Sequence, residues 1–338
     1  MVSLEVVRAS NARIKSQLPS GPVAVFIGAT SGIGETTLKH FAESALKPRI
    51  YFTGRRRECG SRIQGELQKL NPDGEYIYLE NDCSLIRNVD SLCRDIAAKE
   101  ESINLLCITM GTLISGTMTE EGLHYAMALT YYCRIRFVMN LLPLIKRAST
   151  LRRVMTVFAA TKEGPIYTDD LPALRLPITK ARGHIVSMIT LAFEHISKQA
   201  PEVSFIHDYP GFVNTGMSRE LKPSLMMTVM KGIFRVIGLF LNTPIDEVGE
   251  RQLFIATSAR FPAQTGGADG VPLGEGLEIA TGTEGKTGGG VYSIDNLNEP
   301  AGQSVLSLLS KLRQEGIAEQ AWKHTEAEFL RVTGSLSS

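Results

Sequence analysis

Cysteine is scarce in this sequence and is spaced for neither crosslinks nor metal. The five cysteines among 338 residues, Cys59, Cys83, Cys93, Cys107 and Cys133, are odd in number and never fall as Cys-x-x-Cys. That pattern speaks against a disulfide framework or a thiolate zinc cage, fits a reducing compartment, and leaves no metal site to expect. Net charge is almost absent as well: 36 Lys and Arg against 35 Asp and Glu leave +1. Such a balance gives no general field for nucleic acid or an anionic membrane, and no nucleic-acid partner is expected. Nor does the chain hold an unbroken apolar run of about 18 residues, the length a membrane span needs. Its nearest approach, residues 225–241, is interrupted by Lys231 and Arg235. The amino terminus mixes Glu5, Arg8, Arg13 and Lys15 into its apolar positions, unlike a secretory leader. A cytoplasmic protein with no transmembrane span is expected.

What the chain does have is alternation. Its composition, 43% hydrophobic and 21% charged, is that of an ordinary globular protein. Short β-rich apolar runs at 23–27, 50–52, 76–79, 105–108, 154–158 and 203–206 read as strands buried on both faces. Amphipathic segments of helical length at 35–43, 61–70, 86–99, 123–142 and 179–198 lie between them. This alternation implies parallel pairing through right-handed crossovers. The expected fold class is therefore α/β, a doubly wound parallel sheet of Rossmann type in a single domain with a carboxy-terminal extension. A helical arm is expected over 1–20, the doubly wound domain over 21–262 and a glycine-rich surface loop over 263–290, where ten glycines fall between 264 and 290. A last strand at 291–294 and a carboxy-terminal helix complete the expected organisation over 291–338.

The sharpest local feature follows the first strand: Gly28-Ala29-Thr30-Ser31-Gly32-Ile33-Gly34, with Glu35 opening a helix. Glycine reaches positive φ and lets the backbone approach a pyrophosphate closely. The helix N-terminus offers that anion free N–H groups and the positive end of its dipole. A tight turn without a ligand is the bland alternative; the strand before it and the helix behind it favour nucleotide binding.

The spacing G-x-x-x-G-x-G, with further marks in order, resembles the short-chain dehydrogenase/reductase family over about residues 20–260. Thr53-Gly54-Arg55 ends the second strand, where an acid would bind the ribose of NAD. Arg55, with Arg56 and Arg57 beside it, implies a 2′-phosphate and hence NADP(H). Asp82-Cys83-Ser84 falls where the family contacts adenine, and Thr109-Met110-Gly111 where it has Asn-Asn-Ala-Gly. Pro210-Gly211-Phe212-Val213-Asn214-Thr215 matches the family's Pro-Gly-x-Val-x-Thr beside the nicotinamide. The resemblance implies a cofactor cradle of Gly28, Thr30, Ser31, Gly32, Ile33, Gly34, Arg55, Asp82, Cys83, Gly111, Lys180, Pro210, Gly211, Val213 and Thr215.

The catalytic marks depart from the family. Its members use a tyrosine acid, a lysine four residues later, a serine that binds the carbonyl oxygen, and an asparagine on the fourth helix. Here Lys180 holds the lysine's place, but Leu176 stands at the tyrosine's, Ala159-Ala160 at the serine's and Tyr131-Tyr132-Cys133 at the asparagine's. A general acid contributes about 10²–10⁴ in rate, so either the acid has moved or the reaction differs. Candidate replacements are Tyr131, Tyr132, Glu163 and Tyr167, with Thr161, Lys162, His207, Asp208 and Tyr209 nearby. Each also reads as a core, interface or solvated loop residue.

Tyr131-Tyr132-Cys133-Arg134-Ile135-Arg136-Phe137 and Lys162-Glu163-Gly164 resemble fungal members associated with secondary metabolism that lack the serine and tyrosine. This implies an NADPH-binding oxidoreductase with atypical catalytic residues, reducing a carbonyl, imine or iminium carbon of a bulky hydrophobic natural-product intermediate. An iminium accepts hydride with no proton donor. The same departures leave open a non-redox cyclase, isomerase or rearrangement enzyme working by shape and electrostatic positioning, or a non-catalytic NADP(H)-binding protein. Residues 216–245, with Met226, Met227 and Met230, are expected to form a substrate lid, although a helix pair buried against the domain or a partner explains them equally. The helix after Lys180 is apolar on more than one face, and the family's four-helix contact then implies a homodimer.

Overall fold

In the computed structural model, which describes residues 1–213, 243–266 and 270–337, the apolar runs form strands. These are β1 (Val23–Ile27), β2 (Arg49–Gly54), β3 (Glu75–Glu80), β4 (Leu105–Ile108), β5 (Arg153–Val157), β6 (Ser204–Asp208) and β7 (Val291–Ile294). All pair in parallel in the order β3-β2-β1-β4-β5-β6-β7, the doubly wound sheet that the alternation implies. Every residue of β4 to β7 is buried, which is why these runs are apolar without alternating. The sixth strand starts and ends later than its apolar core suggests, so His207 and Asp208 are strand residues.

The described helices are, in chain order, α1 (Leu4–Asn11), α2 (Ile14–Gln17), α3 (Gly32–Ser44), α4 (Arg57–Leu70) and α5 (Ile86–Ala97). There follow α6 (Tyr125–Met127), α7 (Cys133–Arg147), α8 (Ile178–Ser197), α9 (Ile245–Thr257), α10 (Gln303–Gln314) and α11 (Ile317–Thr333). Leu38, Phe41, Ile63, Leu67, Leu253 and Phe254 from α3, α4 and α9 cover one sheet face with Phe26 and Phe52. On the other face, Val89, Ile96, Phe137, Leu141, Ile189 and Phe193 from α5, α7 and α8 meet Val25, Leu106 and Val154. The amino-terminal arm lies on α9, where Arg8 pairs with Glu250 at 2.8 Å.

Three expectations need correction. The helix read over 123–142 is interrupted: α6 and α7 are joined by a π-helical turn, Ala128–Tyr132, whose wider winding breaks the 3.6-residue period that the apolar pattern suggested. The carboxy-terminal helix is two helices, reversed at Gly316, whose φ of +72° a glycine accepts without strain. The glycine-rich segment has no helix or strand in its described part, but it is fastened to the core. Val271 and Ala280 are buried, and Val271 N–H donates to the Thr257 carbonyl at 2.7 Å. Gly270 is required there, since a Cβ would stand 2.4 Å from that same carbonyl oxygen.

The carboxy-terminal extension bears on the expected homodimer. Trp322 of α11 stacks on His195 of α8 at 4.2 Å, and Arg313 of α10 pairs with Glu194 at 2.9 Å. Phe329 lies 5.2 Å beneath the Arg136 guanidinium of α7. The chain's own helices thus cover the parts of α7 and α8 that suggested a partner. Among the described residues no helix is long and apolar enough to cross a membrane and no cluster could hold a metal ion. The apolar run 225–241 and nearly all of the expected lid lie outside the described residues.

Candidate functional site

Because all seven strands run the same way, the residues following them collect at one edge of the sheet. The strand order reverses between β1 and β4, opening the crevice where such sheets take ligands. The glycine turn occupies it. Gly28 has φ +82°, and a Cβ there would stand 2.7 Å from the Met110 amide nitrogen. At Gly34 a Cβ would meet the Thr109 hydroxyl and the Gly28 carbonyl. Thr109 Oγ1 donates toward the Gly28 carbonyl at 3.1 Å, and Gly28 N–H donates to Thr53 Oγ1 at 3.2 Å. The turn is pressed between the ends of β2 and β4, and a side chain at Gly28 or Gly34 would collide with the Met110 backbone or with Thr109, so close packing of the turn itself demands glycine. Ser31 precedes α3 with no side-chain capping bond, so the first-turn N–H groups of Gly32, Ile33 and Gly34 remain for an anion.

Beyond β2 and β3 lies a groove of about 420 Å³ lined by Arg55, Glu80, Asn81, Asp82 and Asn88. Arg55 is exposed at its mouth. Asp82 accepts from Ser84 N–H at 3.0 Å, and its backbone carbonyl accepts from Asn88 Nδ2 at 3.0 Å, which fixes this corner. Cys83, next to Asp82 in the loop after β3, turns its thiol inward toward Thr53, 3.8 Å away, and burial pushes its pKa up to about 12. Only its backbone can face a cofactor. Thr30 fills the space beside Gly54.

At the other end, Lys180 stands exposed in the first turn of α8 with Nζ 5.6 Å from the centre of the Tyr167 ring. Tyr167 is held by that same helix, since its N–H donates to His184 Nδ1 at 3.1 Å. His184 Nε2 lies 3.0 Å from the Leu171 carbonyl, so the ring is neutral with its proton on Nε2, and burial lowers its pKa in agreement. Leu176 packs at the edge of the core, and Ala159 and Ala160 are buried.

The other candidates separate. Tyr131 and Tyr132 are buried, and their hydroxyls are engaged by α11, Tyr131 with Thr325 at 2.7 Å and Tyr132 with His324 at 2.6 Å. Burial raises both phenols, and the structure does not place either one beside Lys180. Glu163 turns inward: Oε1 accepts from Thr190 at 2.9 Å and from Ser293 at 2.7 Å. Burial raises its pKa against those two hydroxyls. Thr190 also lies 3.0 Å from His207 Nδ1, whose ring burial and the Arg134 charge hold neutral, at about 3. Pro210 is buried, Gly211 has φ +83° with a Cβ position 3.0 Å from Asn296, and Val213 is half-buried. Thr215 lies outside the described residues.

Arg134 enters the sequence reading only as part of the Tyr131–Phe137 motif, with no role assigned, yet it sits behind the site. It is buried, donates to the Val157 carbonyl at 2.9 Å and to the Leu129 carbonyl at 3.3 Å, and bonds Thr156 and the Met110 carbonyl as well. Burial pushes its pKa down to about 9. A Cβ at Gly111 would lie 3.7 Å from its Nη2, so the guanidinium ties the ends of β4 and β5 to the π-helical turn. An arginine in an apolar helical run was the available signal, but arginine is ordinarily read as surface.

No family model matches the chain. It is similar to an oxidoreductase, AN1596, of Emericella nidulans, 38% identical over 331 residues that cover 97% of this chain and 98% of that one. It is also similar to the short-chain dehydrogenase/reductase SAT2 of Stachybotrys chartarum, 31% identical over 353 residues and 96% of each chain. Among solved structures, RhlG of Pseudomonas aeruginosa with NADP aligns with a TM-score of 0.56 at 16% identity, over 78% of this chain and 98% of that one. L-Sorbose reductase of Gluconobacter frateurii with NADPH and L-sorbose aligns with a TM-score of 0.53 at 15% identity, over 76% and 97%. These two likenesses concern the fold. Taken with the near full-length sequence similarity, they establish that the chain belongs to the short-chain dehydrogenase/reductase family.

Proposed function

We propose that the protein is an NADPH-dependent reductase acting on a carbonyl of a bulky hydrophobic intermediate of fungal secondary metabolism. Tyr167 serves as proton donor in place of the missing tyrosine. The observation that carries this reading is Lys180 Nζ at 5.6 Å from the Tyr167 ring, a tyrosine–lysine pair rebuilt from a residue thirteen positions upstream. The cofactor fits the residues present: the turn at Gly28 and Gly34 has no room for a Cβ, and the groove at Arg55 and Asp82 continues it. The first-turn N–H groups of α3 would hold the diphosphate, Arg55 the 2′-phosphate, Asp82 the adenine and Lys180 the nicotinamide ribose.

NADPH, when bound, supplies the hydride. Tyr167 gives its hydroxyl proton to the alkoxide oxygen formed on the substrate, the Lys180 ammonium favours the phenolate that results, and water restores the proton. Glu163 is a poorer donor because its carboxylate already serves Thr190 and Ser293. Leu113 and Met118 after β4, Leu174 after β5 and Ile178 at the start of α8 stand exposed, which supports a hydrophobic substrate.

The test is a fluorescence titration with NADPH and NADH. Arg55→Ala is expected to weaken NADPH about 10- to 100-fold, the effect of losing one or two charge-assisted hydrogen bonds, and to leave NADH nearly unchanged. Equal losses for both nucleotides, or no binding of either by the wild type, would overturn the assignment. With α10 and α11 over α7 and α8, light scattering is expected to give the mass of one chain, 36.9 kDa. A particle of twice that mass would restore the homodimer through another face.

A further inference from the structure

Three cations gather at the reaction end of the site, and among the described residues no acid pairs with them. Lys162 follows β5 and its Nζ lies 5.5 Å from the centre of the Tyr209 ring; the Arg182 guanidinium of α8 lies 5.7 Å from the same centre. Lys180 is two residues from Arg182 on that helix. All three are exposed, and among the described residues none has a carboxylate within ion-pairing distance. The acids adjacent in sequence are engaged elsewhere: Glu163 inward with Thr190 and Ser293, Asp169 toward Arg175 at 3.9 Å, buried Asp170 with the Leu174 and Arg175 N–H groups, and buried Asp208 with Gln252 at 2.6 Å.

Their placement opposes ordinary helix electrostatics. The first turn of a helix favours acids, yet that of α8 has none and carries Lys180, with Arg182 directly after it. The arrangement is held rather than loose. Thr161 adopts φ +64°, unusual for a β-branched residue, and the reversal lets Lys162 face outward while Glu163 faces inward. Gly164 and Gly183 meet backbone to backbone, with Gly164 N–H donating to the Gly183 carbonyl at 3.0 Å, which locks the loop to α8. Tyr209 is fixed at the end of β6 by its N–H to the Ile294 carbonyl at 2.9 Å.

We infer that Lys162 and Arg182, gathered around the Tyr209 ring, bind an anionic group of the substrate, a carboxylate on an otherwise apolar molecule. The inference rests on the reductase reading and narrows its substrate to an amphiphilic acid. The apolar body would lie along Leu113, Met118, Leu174 and Ile178, with the acid at Tyr209. The cofactor's phosphates are a poor fit, because they belong at the turn after β1. The end of β6 is three strands away, about 14 Å at the usual strand spacing.

The test uses 1-naphthaleneacetate and its neutral isostere 1-naphthaleneacetamide, titrated calorimetrically into the NADPH-saturated protein. The wild type is expected to prefer the carboxylate about tenfold or more. The Lys162→Ala/Arg182→Ala double variant should lose that preference while keeping its NADPH affinity, and Arg182→Glu alone, which cancels the Lys162 charge, should lose it as well. Equal binding of acid and amide by the wild type, or a preference that survives in the double variant, would overturn the inference. So would a matching loss of NADPH affinity, which would assign the cations to the cofactor. If the wild type does not bind NADPH, the reductase reading fails separately, and the same pair of titrations on the free protein still decides whether this cluster selects anions.

Discussion

Asp90→Ala is expected to lower the unfolding free energy by about 3–5 kcal/mol, as removal of one partner from a buried ion pair does. Asp90 on α5 takes two hydrogen bonds from Arg136 on α7, at 2.6 and 2.7 Å, and a third from Asn140 at 2.8 Å. The Arg136 side chain has no exposure, so the substitution would leave a guanidinium without its charge partner inside the protein. Arg136 also reaches the Ser335 carbonyl at 3.0 Å, so it joins the carboxy-terminal end of the chain to the core. Urea titration should show a lower midpoint with an unchanged slope. The double variant Asp90→Ala/Arg136→Met should recover much of the loss, because neither charge is then stranded. A double variant as unstable as the single one would mean that the packing of α5 on α7, rather than the charge, was lost.

The existence of this pair could not be read from the sequence, and the reason is general. A parallel sheet covered on both faces writes itself into the chain as apolar runs, because every residue of β4 to β7 faces a helix layer. The seven strands and their order of appearance were legible for that reason. The glycine turn was legible because a backbone constraint selects one residue type: Gly28 and Gly34 admit no Cβ. Arg134 and Arg136 carry no such signature. Their burial depends on acceptors supplied from Asp90, Met110, Val157 and Ser335, which are distant in sequence and meet only in the folded chain.

The same limit governed the site. Tyr131 and Tyr132 fall where the family has an asparagine, and position alone made them candidates. What removes them from the reaction end is α11, whose Thr325 and His324 take their hydroxyls. A helix more than 190 residues further along cannot be weighed by motif spacing. The period break at Ala128–Tyr132 was hidden for a related reason: a π-helical turn keeps the apolar composition while shifting which residues face the sheet. Lys180, by contrast, lies at a position fixed by the strand–loop–helix frame, and the structure leaves it exposed there.

Tyr167→Phe is expected to lower NADPH-dependent reduction of a probe ketone, 9,10-phenanthrenequinone, by about 10²–10⁴, with the NADPH dissociation constant unchanged. The phenylalanine keeps the ring that lies against His184 at 6.1 Å and beneath Lys180, so only the hydroxyl is lost. Lys180→Met should behave differently, because the lysine is assigned to the ribose as well as to the phenol: rate and NADPH affinity should fall together. A third variant distinguishes a relocated donor from a dispensable one. Leu176→Tyr puts a phenol at the family's position, four residues before Lys180 and just ahead of α8. In the Tyr167→Phe background it should return part of the lost rate. If Tyr167→Phe has no effect on the ketone, the phenol is not the proton donor. The reading then moves to a substrate such as an iminium ion, which needs hydride alone, and a preformed iminium should be reduced at equal rates by the wild type and by the variant.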